Sequence, residues 1–366
     1  MMNKMIVSNL AHRPVRSVVS VLAIALEVTL ILLIVGFALG MLHDSRSRQA
    51  GIGADVIVMG PASSNIVGLS DAAVPVKISD VLAKLPHVAV VSPVIWKVST
   101  AGALQNIYGI DINSFEALRP FVYLKGGPFQ APDDILVDDI YTNGKHVKVG
   151  DTIQLFNHNF RVAGIVAHGK GSRLFVPLAT LQELNGTPAR ANALYVKADT
   201  PANANTVVDE IKNYRGMSGY TVQSMSDYLA MFTPDRYPML STFIDIVIGI
   251  SVTIGFIVIF QAMYAAVMER TREIGILKSL GASKLYIVNV ILRETTLLAI
   301  GGIIVGIAIS FAAGAAIRHR TTMPVDVNAG WVLNATIIAI VGAIAGALYP
   351  AFKAAQKDPI DALAYE

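Results

Sequence analysis

The 366-residue sequence contains no cysteine and carries little charge. Without cysteine it can form no disulfide, no thiolate metal site and no cysteine nucleophile. Its 29 Lys+Arg and 26 Asp+Glu make up 15% of the chain, where soluble domains carry about 25%. Hydrophobic residues account for 54% and the mean hydropathy is +0.56, a level that requires long stretches facing lipid and argues against a wholly soluble enzyme. What is present in quantity is 29 Gly, 16 Pro and 12 Met, which suit closely packed membrane helices joined to a turn-rich folded domain.

Four runs with almost no charge, 18–42, 243–268, 295–317 and 329–352, are each long enough to cross a hydrocarbon core of about 30 Å. The first is too long for a signal-peptide h-region and lacks an A-x-A-like cleavage site, so it reads as an anchor that stays. Lys4, Arg13, Arg16, Arg270, Arg272, Lys278, Lys284, Lys353 and Lys357 fall on one side of these spans, against Arg46, Arg48, Arg236, Arg318 and Arg320 on the other. That bias places both termini in the cytoplasm. The expected division is a cytoplasmic segment 1–17, spans 18–42, 242–268, 287–317 and 329–352, an extracytoplasmic domain 43–241, an inner connection 269–286, an outer loop 318–328 and a cytoplasmic tail 353–366. Residues 43–241 hold 17 Lys+Arg and 17 Asp+Glu. The net +3 therefore belongs to the membrane part, and no basic stripe suggests nucleic acid.

Within 43–241, β-rich stretches at 55–59, 88–95, 105–110, 135–138, 152–156, 159–166 and 193–197 alternate with turn residues, and helices are predicted at 77–84, 177–184 and 203–214. This is an α+β pattern. Residues 148–153 and 161–165 read as a hairpin with Gly150-Asp151 at its turn. Gly164 to Gly171 fits G-x-x-x-x-G-K but lacks the Ser or Thr that would hold magnesium, and it reads as a glycine turn between two strands. His87, His146, His158 and His168 have no metal-ligand spacing. Asp133-Asp134 and Asp138-Asp139 are adjacent pairs, which a strand points to opposite faces, and they read as solvated loops and strand ends. No constellation for catalysis is visible, so no enzyme activity and no metal are expected of this chain.

The inner connection E-R-T-R-E-I-G-I-L-K-S-L-G-A-S, residues 269–283, reads as a short amphipathic helix. Ile274, Leu277 and Leu280 form a ridge, Glu269 can reach Arg272, and Gly281 suits a left-handed helix end. Periodicity leaves open whether that helix lies in the lipid interface or docks a partner. The second span runs toward it with no Gly or Pro between Gln261 and Gly275. The pairs Gly36/Gly40, Gly302/Gly306 and Gly342/Gly346 allow close helix contact, within the chain or between chains. Intramembrane charge is confined to Glu27, Asp245, Arg293 and Glu294; Glu27 lies deepest, and structural pairing is the favoured reading for it. Pro350 and Asp358-Pro359 mark the exit of the last span and the start of a short terminal helix.

The run 269–283, the Asn9-Leu10 lead into the first span, and Tyr349-Pro350-Ala351 with Lys357 to Leu363 resemble the MacB/FtsX-like family of ABC transporter permeases. Val149-Gly150-Asp151 and Phe175-Val176-Pro177-Leu178 also resemble that family's periplasmic core domain. The resemblance implies a multi-pass protein of the bacterial cytoplasmic (inner) membrane. Its coupling helix would be Glu269, Arg270, Arg272, Glu273, Ile274, Gly275, Leu277, Lys278, Leu280, Gly281 and Ala282, seated in a cytoplasmic ABC ATPase subunit present in two copies. ATP and magnesium would be bound there and no cofactor by this chain. It further implies a second permease copy, identical or not, contact with membrane lipids, and a periplasmic adaptor (membrane fusion protein) in export of a lipid, lipoprotein, peptide or antibiotic-like substrate. The alternative is a non-transporting regulator that activates a cell-wall hydrolase or acts as a sensor. The outer domain is smaller than in the larger exporters of this group.

Overall fold

The computed structural model describes residues 14–61, 74–99, 105–233, 236 and 238–357. Asn9-Leu10 and the helix expected from Asp358-Pro359 lie outside the described residues. The elements in order are α1 (Pro14–Gly51), β1 (Val56–Met59), β2 (Val74–Pro75), α2 (Ile78–Leu82), β3 (Val88–Ser99), β4 (Gln105–Ile110), α3 (Ile112–Leu118), β5 (Tyr123–Gly126), β6 (Asp134–Asp138), α4 (Asp139–Lys145), β7 (Thr152–Leu155), β8 (His158–Val166), β9 (Leu174–Pro177), α5 (Leu178–Leu184), β10 (Arg190–Ala191), β11 (Ala193–Ala198), α6 (Ala204–Asn213), β12 (Thr221–Ser224), α7 (Met225–Ala230), α8 (Pro238–Glu269), α9 (Thr271–Ser279), α10 (Lys284–Arg320) and α11 (Ala329–Gln356). They form two compact units: residues 42–236 with 319–322, and the membrane helices with the remainder.

The first unit is α+β. Its main sheet has the order β12-β1-β11-β3-β4-β9-β6-β8-β5, with β7 added to β8. Both faces of this sheet are covered, because successive strand residues enter opposite clusters. Val94, Trp96, Tyr108 and Tyr195 lie in one cluster, Ile95, Ile107 and Val176 in a second, and Leu194 and Val196 in a third. That explains the nearly continuous apolar runs in the strands. The β7–β8 hairpin turns at Phe156 and Asn157, both left-handed with φ of 54° and 60°, between Leu155 and its partner His158. Two positive φ values are the signature of a type I′ turn. The turn expected at Gly150-Asp151 instead precedes β7, where the amide of Gly150 and the carbonyl of Asp151 still bond Val162 of β8.

One acid of each pair departs from the solvated ends expected from sequence, while Asp133 is exposed as expected. Asp134 and Asp138, four apart on β6 and so on one face, are both about 1% exposed. Asp134 pairs with Arg161 at 2.9 Å and accepts from the amides of Gln130 and Ala131. Asp138 accepts from the Tyr141 amide at 2.6 Å, capping α4, and pairs with Arg173 at 3.1 Å. Arg173 also reaches Asp44, in the last turns of α1. Burial pushes the Asp138 carboxyl up to about 6, even with Arg173 beside it. Close by, Gln49 of α1 donates to the Tyr108 hydroxyl at 2.8 Å and accepts from the Tyr195 hydroxyl at 2.9 Å, so the end of α1 is hydrogen-bonded to two strands of the sheet.

The G-x-x-x-x-G-K stretch begins at the end of β8 and runs into the connection to β9, a turn between two strands as expected. Lys170 is buried and lies 4.6 Å and 3.9 Å from the ring centres of Phe115 and Phe121. It donates to the carbonyls of Phe115 and Arg119 at the end of α3. Burial pushes this ammonium down to about 7. A lysine committed to a helix end and two rings has no phosphate to hold.

In the membrane unit, α1, α8, α10 and α11 each contain a stretch long and apolar enough to span a bilayer. All three glycine pairs make close contacts within the chain. A methyl group on Gly302 would lie 2.6 Å from Ile24 Cβ, and one on Gly306 2.7 Å from the Ala25 carbonyl, both on α1. Gly346 meets the Phe256 carbonyl and Ile259 of α8, Gly342 faces Glu27 Oε1, and Gly36 and Gly40 meet the backbone of Asp326 and Pro324, just before α11. Thr29 Oγ1 donates to the Gly306 carbonyl at 3.2 Å, adding a polar tie at the closest approach of α1 and α10. Ala335, Ala339, Ala343, Ala347, Ala351 and Ala355 of α11 are all buried, in one cluster with Ile259, Met263 and Val267 of α8.

Two predictions follow from this packing. Gly302→Ala should destabilise the detergent-solubilised protein by about 1–3 kcal/mol through overpacking. Gly301→Ala, whose nearest neighbour is a Val21 methyl at 3.6 Å, should be near neutral, and thermal unfolding of the two variants compares them. For Asp138, a folded-state value near 6 against 3.8 unfolded means the native state holds the extra proton. Its contribution to stability should therefore be greatest below pH 4 and decline as pH rises from 4 to 6. That decline should be missing from the pH–stability curve of Asp138→Asn.

Candidate coupling site

The segment joining α8 to α10 is built from three local devices. Helix α8 stops at Glu269, and Arg270, with φ −109° and ψ 16°, makes the break before α9. The sequence suggests an unbroken run here because it contains neither Gly nor Pro. The break is instead held by Thr271, whose hydroxyl donates to the carbonyls of Val267 at 3.2 Å and Met268 at 2.9 Å and so satisfies the end of α8. At the other end Gly281 is left-handed at φ 93°, as its position predicts. The Ala282 amide bonds the Leu277 carbonyl and the Gly281 amide that of Lys278, which is a Schellman motif. Ser283 then caps α10 by accepting from the Tyr286 amide at 3.2 Å.

Two charged contacts tie α9 and its flanks to the membrane helices. Arg270 pairs with Glu294 of α10 at 3.0 Å, with side chains only 12% and 3% exposed. Lys278 donates to the carbonyls of Ala355 at 3.1 Å and of Lys357, where a cation meets the negative end of α11. Glu294 is thus paired, and Arg293 bonds locally to Asn289, whereas Glu27, for which the sequence favours structural pairing, carries an oxygen with no hydrogen-bond partner among the described residues. Between α8, α9 and α10 lies a pocket of about 420 Å³, lined by Met263, Val267, Leu277, Ile287 and Ile291, with Arg270 and Glu294 on its wall.

The ridge expected from Ile274, Leu277 and Leu280 divides. Ile274 packs against the membrane core and Leu277 lines the pocket, while Leu280 is 80% exposed. Gly275 and Thr271 are buried. The outward apolar residues are Ile276, Leu280, Leu285 and Tyr286, edged by exposed Arg272 and Glu273. Ile276, Leu285 and Tyr286 do not emerge from sequence spacing.

A buried ion pair deprived of one member leaves an uncompensated charge. Glu294→Gln should therefore cost about 3–5 kcal/mol in unfolding experiments, and the double variant Arg270→Met/Glu294→Leu should recover most of that loss.

Comparisons with known proteins agree with this architecture. Residues 17–214 match the family model for the MacB-like periplasmic core domain and residues 246–359 that for the FtsX-like permease C-terminal region. The ABC transporter permease YknZ of Bacillus subtilis is 31% identical over 232 residues, covering 62% of this chain and 56% of that protein. The macrolide export ATP-binding/permease protein MacB of Neisseria meningitidis is 25% identical over 389 residues, covering 98% of this chain and 59% of that protein. The chain thus spans less than two thirds of the length of these relatives. The crystal structure of the periplasmic region of MacB from Actinobacillus actinomycetemcomitans aligns with 48% of this chain and 91% of its own, at 16% identity and a TM-score of 0.38. On the two family models, which together cover both the inserted domain and the membrane helices, the chain belongs to the MacB/FtsX-like family of ABC transporter permeases.

Proposed function

We propose that this chain is the non-catalytic membrane subunit of an ABC transporter in the bacterial inner membrane, and that α9 receives motion from a separate cytoplasmic ATPase. The observation that carries this reading is the way α9 is held. Arg270–Glu294 ties its start to α10, and Lys278 ties its end to α11, while Ile276 and Leu280 face outward. A helix fastened at both ends passes a push to the helices it is fastened to; a helix floating in the lipid interface would have no use for these ties. The outward patch of two aliphatic residues, with Arg272 and Glu273 at its edge, suits a groove on a protein partner, with an apolar centre and a polar rim.

In this reading both termini are cytoplasmic, in line with the basic residues on that side, and residues 43–241 lie outside. ATP and magnesium are bound by the partner. Two permease copies act with two ATPases; the three glycine pairs are already occupied within the chain, so the contact between copies uses other faces. Motion reaches the outer domain through α1 and α8, the two helices that enter it in sequence. Gln49 and Asp44 of α1 pass it to the sheet through Tyr108, Tyr195 and Arg173. The cargo is an amphiphile such as a lipid, lipoprotein, peptide or antibiotic-like molecule, handed to a periplasmic adaptor.

Leu280→Asp tests the docking claim with little risk to the fold, because the side chain is exposed. It should weaken co-purification of the ATPase by about 2 kcal/mol, roughly 30-fold in affinity, and abolish transport-linked ATP hydrolysis while the chain still inserts. Undiminished ATPase binding and activity in that variant would refute the coupling role of α9.

A further inference from the structure

Glu27 is 3% exposed, and its Oε1 has no hydrogen-bond partner among the described residues. Its surroundings are two glycines on two other helices. A methyl group on Gly255 of α8 would lie 2.0 Å from Glu27 Oε2, and one on Gly342 of α11 3.9 Å from Oε1. The carboxyl therefore fills a notch that Gly255 leaves open, with Gly342 on its other side. Residues 255 and 342 lie at the middle of their apolar runs, 243–268 and 329–352, which puts the notch near the bilayer midplane.

No opposite charge is placed to compensate an ionised Glu27. On α1 the nearest charged or titratable side chains are Arg16 and His43. On α8 they are Asp245 and Tyr264, about 15 Å and 13 Å along the helix from Gly255; on α11 they are Tyr349 and Lys353, about 10 Å and 16 Å from Gly342. On α10, which packs on α1 through Gly302 and Gly306, they are Glu294 and Arg318, about 12 Å from Gly302 and 18 Å from Gly306. A bare carboxylate without a partner in such a place carries a desolvation cost that proteins avoid by neutralising the group. A metal ion would need further ligands, and among the described residues no group of three or more His, Asp or Glu is placed to hold one; an organic cation would need more room than a notch the carboxyl already fills. A proton needs none.

We propose that Glu27 is a proton-binding site: the carboxyl holds a proton while α1 is packed against α8 and α11, and releases it when these helices part and water reaches it. On release the O–H bond breaks, the electron pair stays on the carboxylate, and water takes the proton. Each cycle of parting and repacking then releases one proton per chain and takes one up. Low pH favours the packed arrangement and high pH the parted one.

The test uses the full chain in detergent and needs no ATPase, so its failure is separate from any failure of the coupling reading. Wild type and Glu27→Gln, which keeps the shape and is always neutral, are unfolded over pH 5 to 9. Because the packed state alone holds the proton, the folded-to-unfolded ratio of wild type relative to Glu27→Gln should fall by about tenfold per pH unit from pH 5 upward, levelling off where the packed state itself gives up its proton. A ratio that does not change with pH overturns the proposal. The second measurement stands even if the variant fails to fold: wild-type membranes are treated at pH 7 with dicyclohexylcarbodiimide, to which a protonated carboxyl adds without a leaving group. Mass spectrometry should find the adduct on Glu27 and not on Asp133, whose side chain is 62% exposed. An unlabelled Glu27 overturns the proposal as well.

Discussion

In lipid, helices are not driven together by the hydrophobic effect, because acyl chains are as apolar as leucine; they associate where their backbones can come close. The membrane unit depends on that constraint. Gly302 and Gly306 let α1 lie directly on α10, Gly346 and the alanine positions of α11 do the same against α8, and Gly36 and Gly40 accept the backbone before α11. Large side chains such as Leu22, Ile254, Ile304 and Val341 are left exposed on the outside, where lipid meets them. The distances set by missing side chains also decide what polar groups can reach. Arg270 meets Glu294, and Lys278 meets the end of α11, because the helices carrying them are already close.

Polar interactions follow a consistent pattern along these helices. Apart from hydroxyls bonded to carbonyls in mid-helix, such as Thr29 on Gly306, they gather at helix ends, where backbone groups need partners. Thr271 closes α8, Gly281 and Ala282 close α9, Ser283 opens α10 and Asn328 opens α11 by accepting from the Trp331 amide. In the inserted domain the same economy appears at the end of α1, where Gln49 satisfies two buried tyrosine hydroxyls at once. Glu27 departs from the pattern, in mid-helix and with an oxygen that has no partner among the described residues.

Sequence reads best where the signal is local. Hydropathy runs locate the four long helices, alternation and turn residues locate seven of the strands, and the left-handed end of α9 is legible in Gly281. What escapes depends on residues far apart in the chain. The Arg270–Glu294 pair joins positions 24 apart across a break that has no Gly or Pro to announce it. Strands β2 and β10, of two residues each, are too short for periodicity to register, and β5, β9 and β12 escape it as well. Asp134 and Asp138 look like surface acids because their partners, Arg161 of β8 and Arg173 just before β9, arrive from elsewhere in the chain. Phe156 gives no hint that it will adopt a left-handed turn. The apolar ridge on α9 is visible as spacing, but which of its residues faces outward is set by neighbouring helices.

The buried alanines of α11 recur every fourth residue from Ala335 to Ala355. A shift of the helix by one repeat, about 6 Å along its axis, would bring alanine onto alanine. Because four residues make slightly more than one turn, the repeat is a screw that couples this shift to a rotation of about 40°, and by itself it prescribes no unique register. The register is instead set by singular features: Gly346 against Phe256 and Ile259, and the Lys278 lock on the final carbonyls. In mechanical terms α11 is a smooth rail with its stop at the end where α9 grips it, so a small axial load applied there meets little resistance from the interlocking of side chains along its length.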